Sequence, residues 1–233
     1  MHNIQPVRKH LTVYGSISGN YPFRNEKIIW FESQLEKHFL RKLEFNDAVL
    51  DVVTQPVEIP YTTEKGNKST YTPDMLIIFS SRGFYHPEST PKPILAEIKP
   101  HKKLKENWPD LRTKFKAGLA YAKEQGWLFH IYDEKRIHDQ YLENLNYLKR
   151  FNKGQYNQDI LDQLVDTLEK IGHCKVNELA AYLFKSETNL LIGIQHTWNL
   201  IAKKKISCEM NQPLSNNTVI WVNNPEATYY GGI

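Results

Sequence analysis

Tyr71-Thr-Pro-Asp74-Met-Leu-Ile-Ile-Phe79 and Ile94-Leu-Ala-Glu97-Ile-Lys99-Pro100 are the stretches around which the chain is organised. Each contains an apolar run of strand length, and residues 80–93 between them are rich in Pro and Ser and include Gly83. The pattern predicts two strands joined by a hairpin or a wider turn. Side chains at i and i+2 of a strand share a face, which sets Glu97 beside Lys99 and lets Asp74 approach from the neighbouring strand. Charges that interrupt an apolar strand face need a reason. Two carboxylates holding a divalent cation, next to a lysine that orients or activates water, supply one. A half-exposed hairpin with an ordinary surface salt bridge supplies another, and the spacing alone leaves both open.

Length and composition narrow the class. A chain of 233 residues can bury a sizeable core and hold one large domain or two smaller ones. No apolar run reaches the length of a membrane span, and Met1-His-Asn-Ile-Gln-Pro6 lacks the charged-then-apolar layout of a signal peptide. Cys174 and Cys208 stand apart, with no CxxC pairing, as expected of reduced thiols in a cytoplasmic protein. No G-x-x-x-x-G-K-[ST] loop is present, which leaves a nucleotide-binding regulator with little support.

The charge is unevenly spread. Between residues 99 and 116 lie Lys99, Lys102, Lys103, Lys105, Arg112, Lys114 and Lys116 against Glu106 and Asp110 alone, so this stretch outweighs the net charge of +4 on the whole chain. Lysines placed directly after the acidic strand suit a phosphodiester substrate, whose phosphates they neutralise. A solvated helix face is the other reading of the same run.

In chain order, residues 1–25 read as an irregular arm. Lys27 to Lys42 reads as a helix on the spacing of Ile28, Ile29, Phe31, Leu35, Phe39 and Leu43, with Glu32 and Glu36 four apart on one face. Either of these acids could join Asp74 and Glu97. Ala48–Val53 and Val57–Tyr61 are strand-like, and Thr62–Ser69 is the turn into the Tyr71 strand. A basic helix follows from Leu104, with Leu111, Phe115, Leu119 and Ala122 on one side, Pro109 in its first turn and Gly126 at its end. Trp127–Tyr132 is a further buried strand, and Tyr141, Leu145 and Leu148 mark another helix. This order describes one α/β domain over 1–153, with its core from 26. Beyond a boundary near Asn152–Tyr156, residues 154–233 read as three helices and a terminal hairpin ending in Thr218–Val222. That is a winged-helix-like layout for binding DNA or protein, with Lys203–Lys205 at a helix end.

Tyr71-Thr-Pro-Asp74 with Glu97-Ile-Lys99 resembles the PD-(D/E)xK nuclease pattern. The surrounding residues resemble more specifically TnsA, the endonuclease subunit of heteromeric cut-and-paste transposases. The points of likeness are Leu35-Glu36, Val49–Val52 ahead of Gln55-Pro56, Asp74-Met-Leu76, Glu97-Ile-Lys-Pro100 and Trp127-Leu-Phe129, in order along residues 30–135. The resemblance implies a restriction-endonuclease-like mixed sheet flanked by helices. It makes Glu36, Asp74 and Glu97 metal-binding acids and Lys99 the catalytic lysine, and it favours Glu36 over Glu32, which has no counterpart. Some members have Gln where Glu97 stands. Over the C-terminal part the likeness is one of layout only; in the family that region contacts an ATPase regulator.

The function so implied is Mg²⁺-dependent cleavage of the 5′ strands at transposon ends, with Mn²⁺ as a substitute. Lys102, Lys103, Lys105, Arg112 and Lys114 would lie along double-stranded DNA. A DDE-type transposase subunit and an AAA+ ATPase regulator would be the partners, with no membrane involved. A stand-alone restriction or repair nuclease of the same fold, and a non-catalytic DNA- or protein-binding module, are the rival functions.

Overall fold

A computed structural model describes residues 17–81 and 90–223. Residues 1–16 of the expected arm, Gly83 and Pro87 of the expected loop, and residues 224–233 lie outside the described residues. The chain divides into two compact units, at Ile137 and His138.

The first unit is built on a four-stranded mixed sheet of order β3-β6-β7-β8 (β3 Val49–Thr54, β6 Met75–Phe79, β7 Ile94–Ile98, β8 Leu128–Tyr132). The first three strands pair antiparallel, and β8 runs parallel to β7 with Glu97 opposite Ile131. All of β7 is buried, as expected of an inner strand covered on both faces. β8, at the sheet edge, buries only Tyr132, so the expected fully buried strand is half-exposed. Helix α1 (Gln34–Phe45) packs Phe39 on Tyr132, with ring centroids 4.4 Å apart. Helix α3 (Trp108–Glu124) covers the other face, where Val53, Ile59, Tyr71, Leu76, Leu95, Phe115 and Ala122 form one core cluster. Each such buried aliphatic or aromatic side chain is worth roughly 1.5–3 kcal/mol of transfer free energy. Leu95 belongs to the α3 face, so Glu97 and Lys99, two and four residues on, continue that face. Leu76 likewise fixes the side from which Asp74 approaches. The alternation that builds the core therefore also aims the charged groups.

Three expectations change. Lys27–Phe31 is strand β2, not the start of a helix: it pairs antiparallel with β1 (Gly19–Phe23), itself part of the supposed irregular arm. Its burial alternates, with Ile28 exposed and Ile29 and Phe31 buried, which is the strand period read through a short run of apolar residues. The helix starts only at Gln34, where the Ser33 hydroxyl caps the N–H of Glu36. Secondly, Thr62–Ser69 is part of a hairpin between β4 (Ile59–Thr62) and β5 (Lys68–Tyr71), so Tyr71 ends one strand and Asp74 immediately precedes another. Thirdly, the basic run is broken by Asn107 into α2 (His101–Glu106) and α3. Pro109 does stand in the first turn of α3, but Leu119 faces solvent and Gly118 takes its place on the inner side.

Gly118 is where α3 comes closest to the sheet. A Cβ there would lie 2.8 Å from Tyr71 Cε1 and 2.9 Å from Phe129 Cε2. Gly→Ala in a helix interior gains about 1 kcal/mol, whereas overpacking loses roughly 1–3 kcal/mol. Gly118→Ala is therefore expected to destabilise the unit by about 1 kcal/mol and to displace Tyr71, checked by chemical denaturation.

The second unit begins earlier than the sequence suggests. After the short helix α4 (Glu134–Ile137), helix α5 (Gln140–Leu148) and the 3₁₀ turn Lys149–Asn152 belong to it, although α5 was expected in the first domain. The reason is specific packing and hydrogen bonding. Asn144 Nδ2 donates to the carbonyls of Met210 (2.9 Å) and Gln212 (2.7 Å). Tyr147 and Phe151 pack on the buried Trp198 of α8 (Glu187–Ala202). Helices α6 (Gln158–Ile171) and α7 (Val176–Leu183) accompany α8. The short strands β9 (His173–Lys175), β10 (Ile206–Cys208) and β11 (Val219–Val222) form an antiparallel sheet of order β10-β11-β9. Both cysteines are free thiols, and burial pushes that of Cys208 up to about 12. Among the described residues no helix is long and apolar enough to cross a membrane.

Candidate active site

The two inner strands bring Asp74, Glu97 and Lys99 together. Asp74 Oδ2 accepts the Ile98 N–H at 2.6 Å, which ties the acid before β6 to the backbone between Glu97 and Lys99. Its own carbonyl accepts from the N–H of Gln55 at 2.9 Å, a residue held at φ 48° just after β3. Glu97 is 1 % exposed. Its Oε2 accepts from the Tyr71 hydroxyl at 2.8 Å, and its Oε1 accepts from Lys99 Nζ at 2.5 Å. Lys114 Nζ, from α3, lies 3.5 Å from the same Oε1. A buried carboxylate needs such partners, because an unpaired one is costly.

Glu36 enters the same field from α1. Its Oε1 accepts from the Ser33 hydroxyl at 2.7 Å and its Oε2 from the Glu32 N–H at 2.9 Å, close to a capping-box arrangement. Both oxygens thus serve the helix start. Glu32 turns elsewhere and accepts from Gln55 Nε2 at 3.0 Å.

The electrostatics of the group are uneven. Burial, then the charges of Glu97 and Glu36, hold the Asp74 carboxyl well above the usual carboxylate range, against the pull of Lys99 and the Ile98 N–H. Burial also raises Glu36, opposed by the Glu32 N–H, the Ser33 hydroxyl and Lys99. Burial by itself would lower Lys99, but Glu97 and then Asp74 raise it, so it stays an ammonium. Lys99 is accordingly a fixed cation and not the free-amine base that a lowered pKa would give. Burial and the Glu97 charge raise the Tyr71 phenol, which remains a donor.

Among the described residues no three His, Cys, Asp or Glu side chains stand close enough together to hold a metal ion as they are. The donor chemistry nonetheless suits a hard divalent cation. Asp74 and Glu97 offer carboxylate oxygens, and a cation would offset the burial and the neighbouring acid charges that raise Asp74.

The residues expected to meet DNA separate into two groups. Lys102, Lys103, Lys105 and Arg112 are exposed on α2 and α3, with Lys102 3.8 Å from Glu106 and Arg112 3.6 Å from Glu64. Lys114 instead turns inward to Glu97. Tyr71 and Gln55 are site neighbours that the sequence reading did not single out as such. A tyrosine at a strand end reads as core, and Gln55 is marked only by its place before Pro56. Lys114 carries a readable signal: it is the charged position on the inward stripe Leu111, Lys114, Phe115, Gly118, Ala122.

A mixed sheet flanked by helices, with two acids and a lysine gathered at one end of its inner strands, defines a nuclease-like α/β domain. Residues 46–134 match the family described as TnsA-like endonuclease N terminal, which supports a TnsA-like endonuclease. The matched span includes Asp74, Glu97, Lys99 and Lys114 and leaves out Glu36 and the second unit. No curated protein matches the chain.

Proposed function

We propose that the chain is a divalent-cation-dependent DNA endonuclease that cuts the 5′ strands at transposon ends, as a cytoplasmic subunit of a heteromeric cut-and-paste transposase. The observation that carries this reading is the contact of Lys99 Nζ with Glu97 at 2.5 Å beside Asp74, within residues matching an endonuclease family. Asp74 and Glu97 would hold Mg²⁺, with Mn²⁺ as a substitute. Glu36 would serve a second ion by exchanging its cap bonds. When bound, the cation supplies Lewis-acid stabilisation of the charge that develops on the phosphate. Lys99 orients the attacking water and stabilises its hydroxide form as a fixed positive charge. In-line attack leaves a 5′-phosphate and a 3′-hydroxyl.

The exposed Lys102, Lys103, Lys105 and Arg112 grip phosphates without reading bases. Changing Lys102 and Lys103 to Ala is expected to weaken binding equally on unrelated duplexes. Each lost contact should reduce the slope of log K against log salt by about 0.9. An unchanged slope would return these lysines to a solvated helix face.

A DDE-type transposase would cut and join the 3′ strands, and an AAA+ ATPase would regulate the pair. The second unit, with helices α5, α6, α7 and α8 and a small antiparallel sheet, is proposed as a winged-helix-like module for these partners or for DNA. The division of strands is tested in a transposition assay with the full partner set. Asp74→Ala should shift products from simple insertions to cointegrates while total joining persists. Loss of all joining by a folded, partner-bound variant would overturn it.

A further inference from the structure

We infer that Lys114 is a placeholder for the divalent cation, neutralising Glu97 in the metal-free protein and passing to a substrate phosphate when the metal binds. The inference rests on the metal-dependent nuclease reading above. Two ammonium groups share one oxygen of a buried carboxylate: Lys99 Nζ stands 2.5 Å from Glu97 Oε1 and Lys114 Nζ 3.5 Å from it. A dication on Glu97 would repel both, and they are not equally held. Lys99 directly follows β7, two residues from Glu97, and makes the shorter contact. Lys114 reaches in from α3 with the longer contact, and its ammonium also lies 4.9 Å above the Tyr71 ring. The weaker tie gives way first. The Lys114 side chain is only partly buried, so once released from Glu97 its ammonium has solvent within reach, where a substrate phosphate would take its charge. Metal loading and the grip on DNA would thereby be coupled through one side chain, which becomes a catalytic residue once it meets the phosphate.

The test uses the full-length protein and measures Mn²⁺ binding by electron paramagnetic resonance, separately from cleavage. Lys114→Met removes the competing charge and should tighten Mn²⁺ binding by about tenfold, the direction Coulomb's law requires for one positive charge removed beside a dication. Cleavage at saturating DNA and saturating Mn²⁺ should meanwhile fall by about 10²-fold, as for loss of one group that stabilises the transition state. Lys114→Arg, which keeps the charge, should bind Mn²⁺ like the wild type. Lys114→Gln supplies the same comparison should the methionine variant fail to fold. Unchanged or weaker Mn²⁺ binding in the neutral variants would overturn the inference, as would full cleavage without this lysine. A wild type that binds no Mn²⁺ would instead overturn the underlying nuclease reading, and the inference with it.

Discussion

Asp74→Asn is expected to abolish cleavage and, in the absence of metal, to make the protein more stable. The loss of activity should be about 10³-fold or more, the scale on which removal of a single charge-stabilising group acts. The gain in stability follows from the neighbours. Asp74 is raised by burial and by the charges of Glu97 and Glu36, so the ionised form is held against repulsion. Two carboxylates about 4 Å apart repel by roughly 4 kcal/mol at an effective dielectric near 20. Lys99, altered protonation and water relieve much of this, leaving an expected gain of about 1 kcal/mol, or a rise in Tm of about 3 °C. Asparagine keeps an oxygen for the Ile98 N–H, so the strand contact survives. The pH dependence has a definite sign. A carboxyl whose folded pKa lies above its unfolded value binds more protons when folded. Wild-type stability should therefore fall as pH rises from the ordinary carboxylate range through the raised value, and Asp74→Asn should flatten that fall. A variant less stable than the wild type at neutral pH, with the same pH slope, would contradict the electrostatic account.

Lys99→Met should lose cleavage on a similar scale but move stability the other way. Glu97 is almost wholly buried, at 2 % side-chain exposure, and Lys99 is its nearest cation. Removing one partner of a buried pair costs about 3–5 kcal/mol, because the other charge is left uncompensated. Here Tyr71 and Lys114 still reach Glu97, so a loss of about 2 kcal/mol is expected. Adding Mg²⁺ or Mn²⁺ should recover more stability in Lys99→Met than in the wild type, since the ion replaces the missing charge. Denaturant titrations with and without metal would show this. Opposite signs for Asp74→Asn and Lys99→Met distinguish a poised charge cluster from general damage to the core.

The acid–lysine group is legible in the sequence because it depends on strand period alone. Glu-x-Lys shares a face wherever β7 forms, and the apolar run Met75–Phe79 fixes the neighbouring strand that carries Asp74 up to it. The β1–β2 hairpin is not legible in the same way. Lys27–Phe31 has apolar residues that suit a helix continuing into α1, and what decides for a strand is its partner Gly19–Phe23 across a turn with Arg24 and Asn25 at φ 52° and 56°. Neither turn residue is a glycine, so the usual composition signal is missing. The division near residue 137 is hidden for another reason. Asn144 looks like an ordinary polar helix residue until its long-range bonds to Met210 and Gln212 are seen. Glu36 is intermediate: the sequence pairs it with Glu32 on one helix face, whereas its bonds to Ser33 and the Glu32 N–H, and its influence on Asp74, emerge only in the fold.

The most direct test is strand-resolved cleavage of an end-labelled transposon-end duplex by the full-length protein with its partner subunits, in Mg²⁺ and in chelator. The account predicts a nick on the 5′ strand, leaving 5′-phosphate and 3′-hydroxyl termini, that requires the metal and is lost in both Asp74→Asn and Lys99→Met. Metal-independent cutting, or cutting by either variant at the wild-type rate, would contradict it.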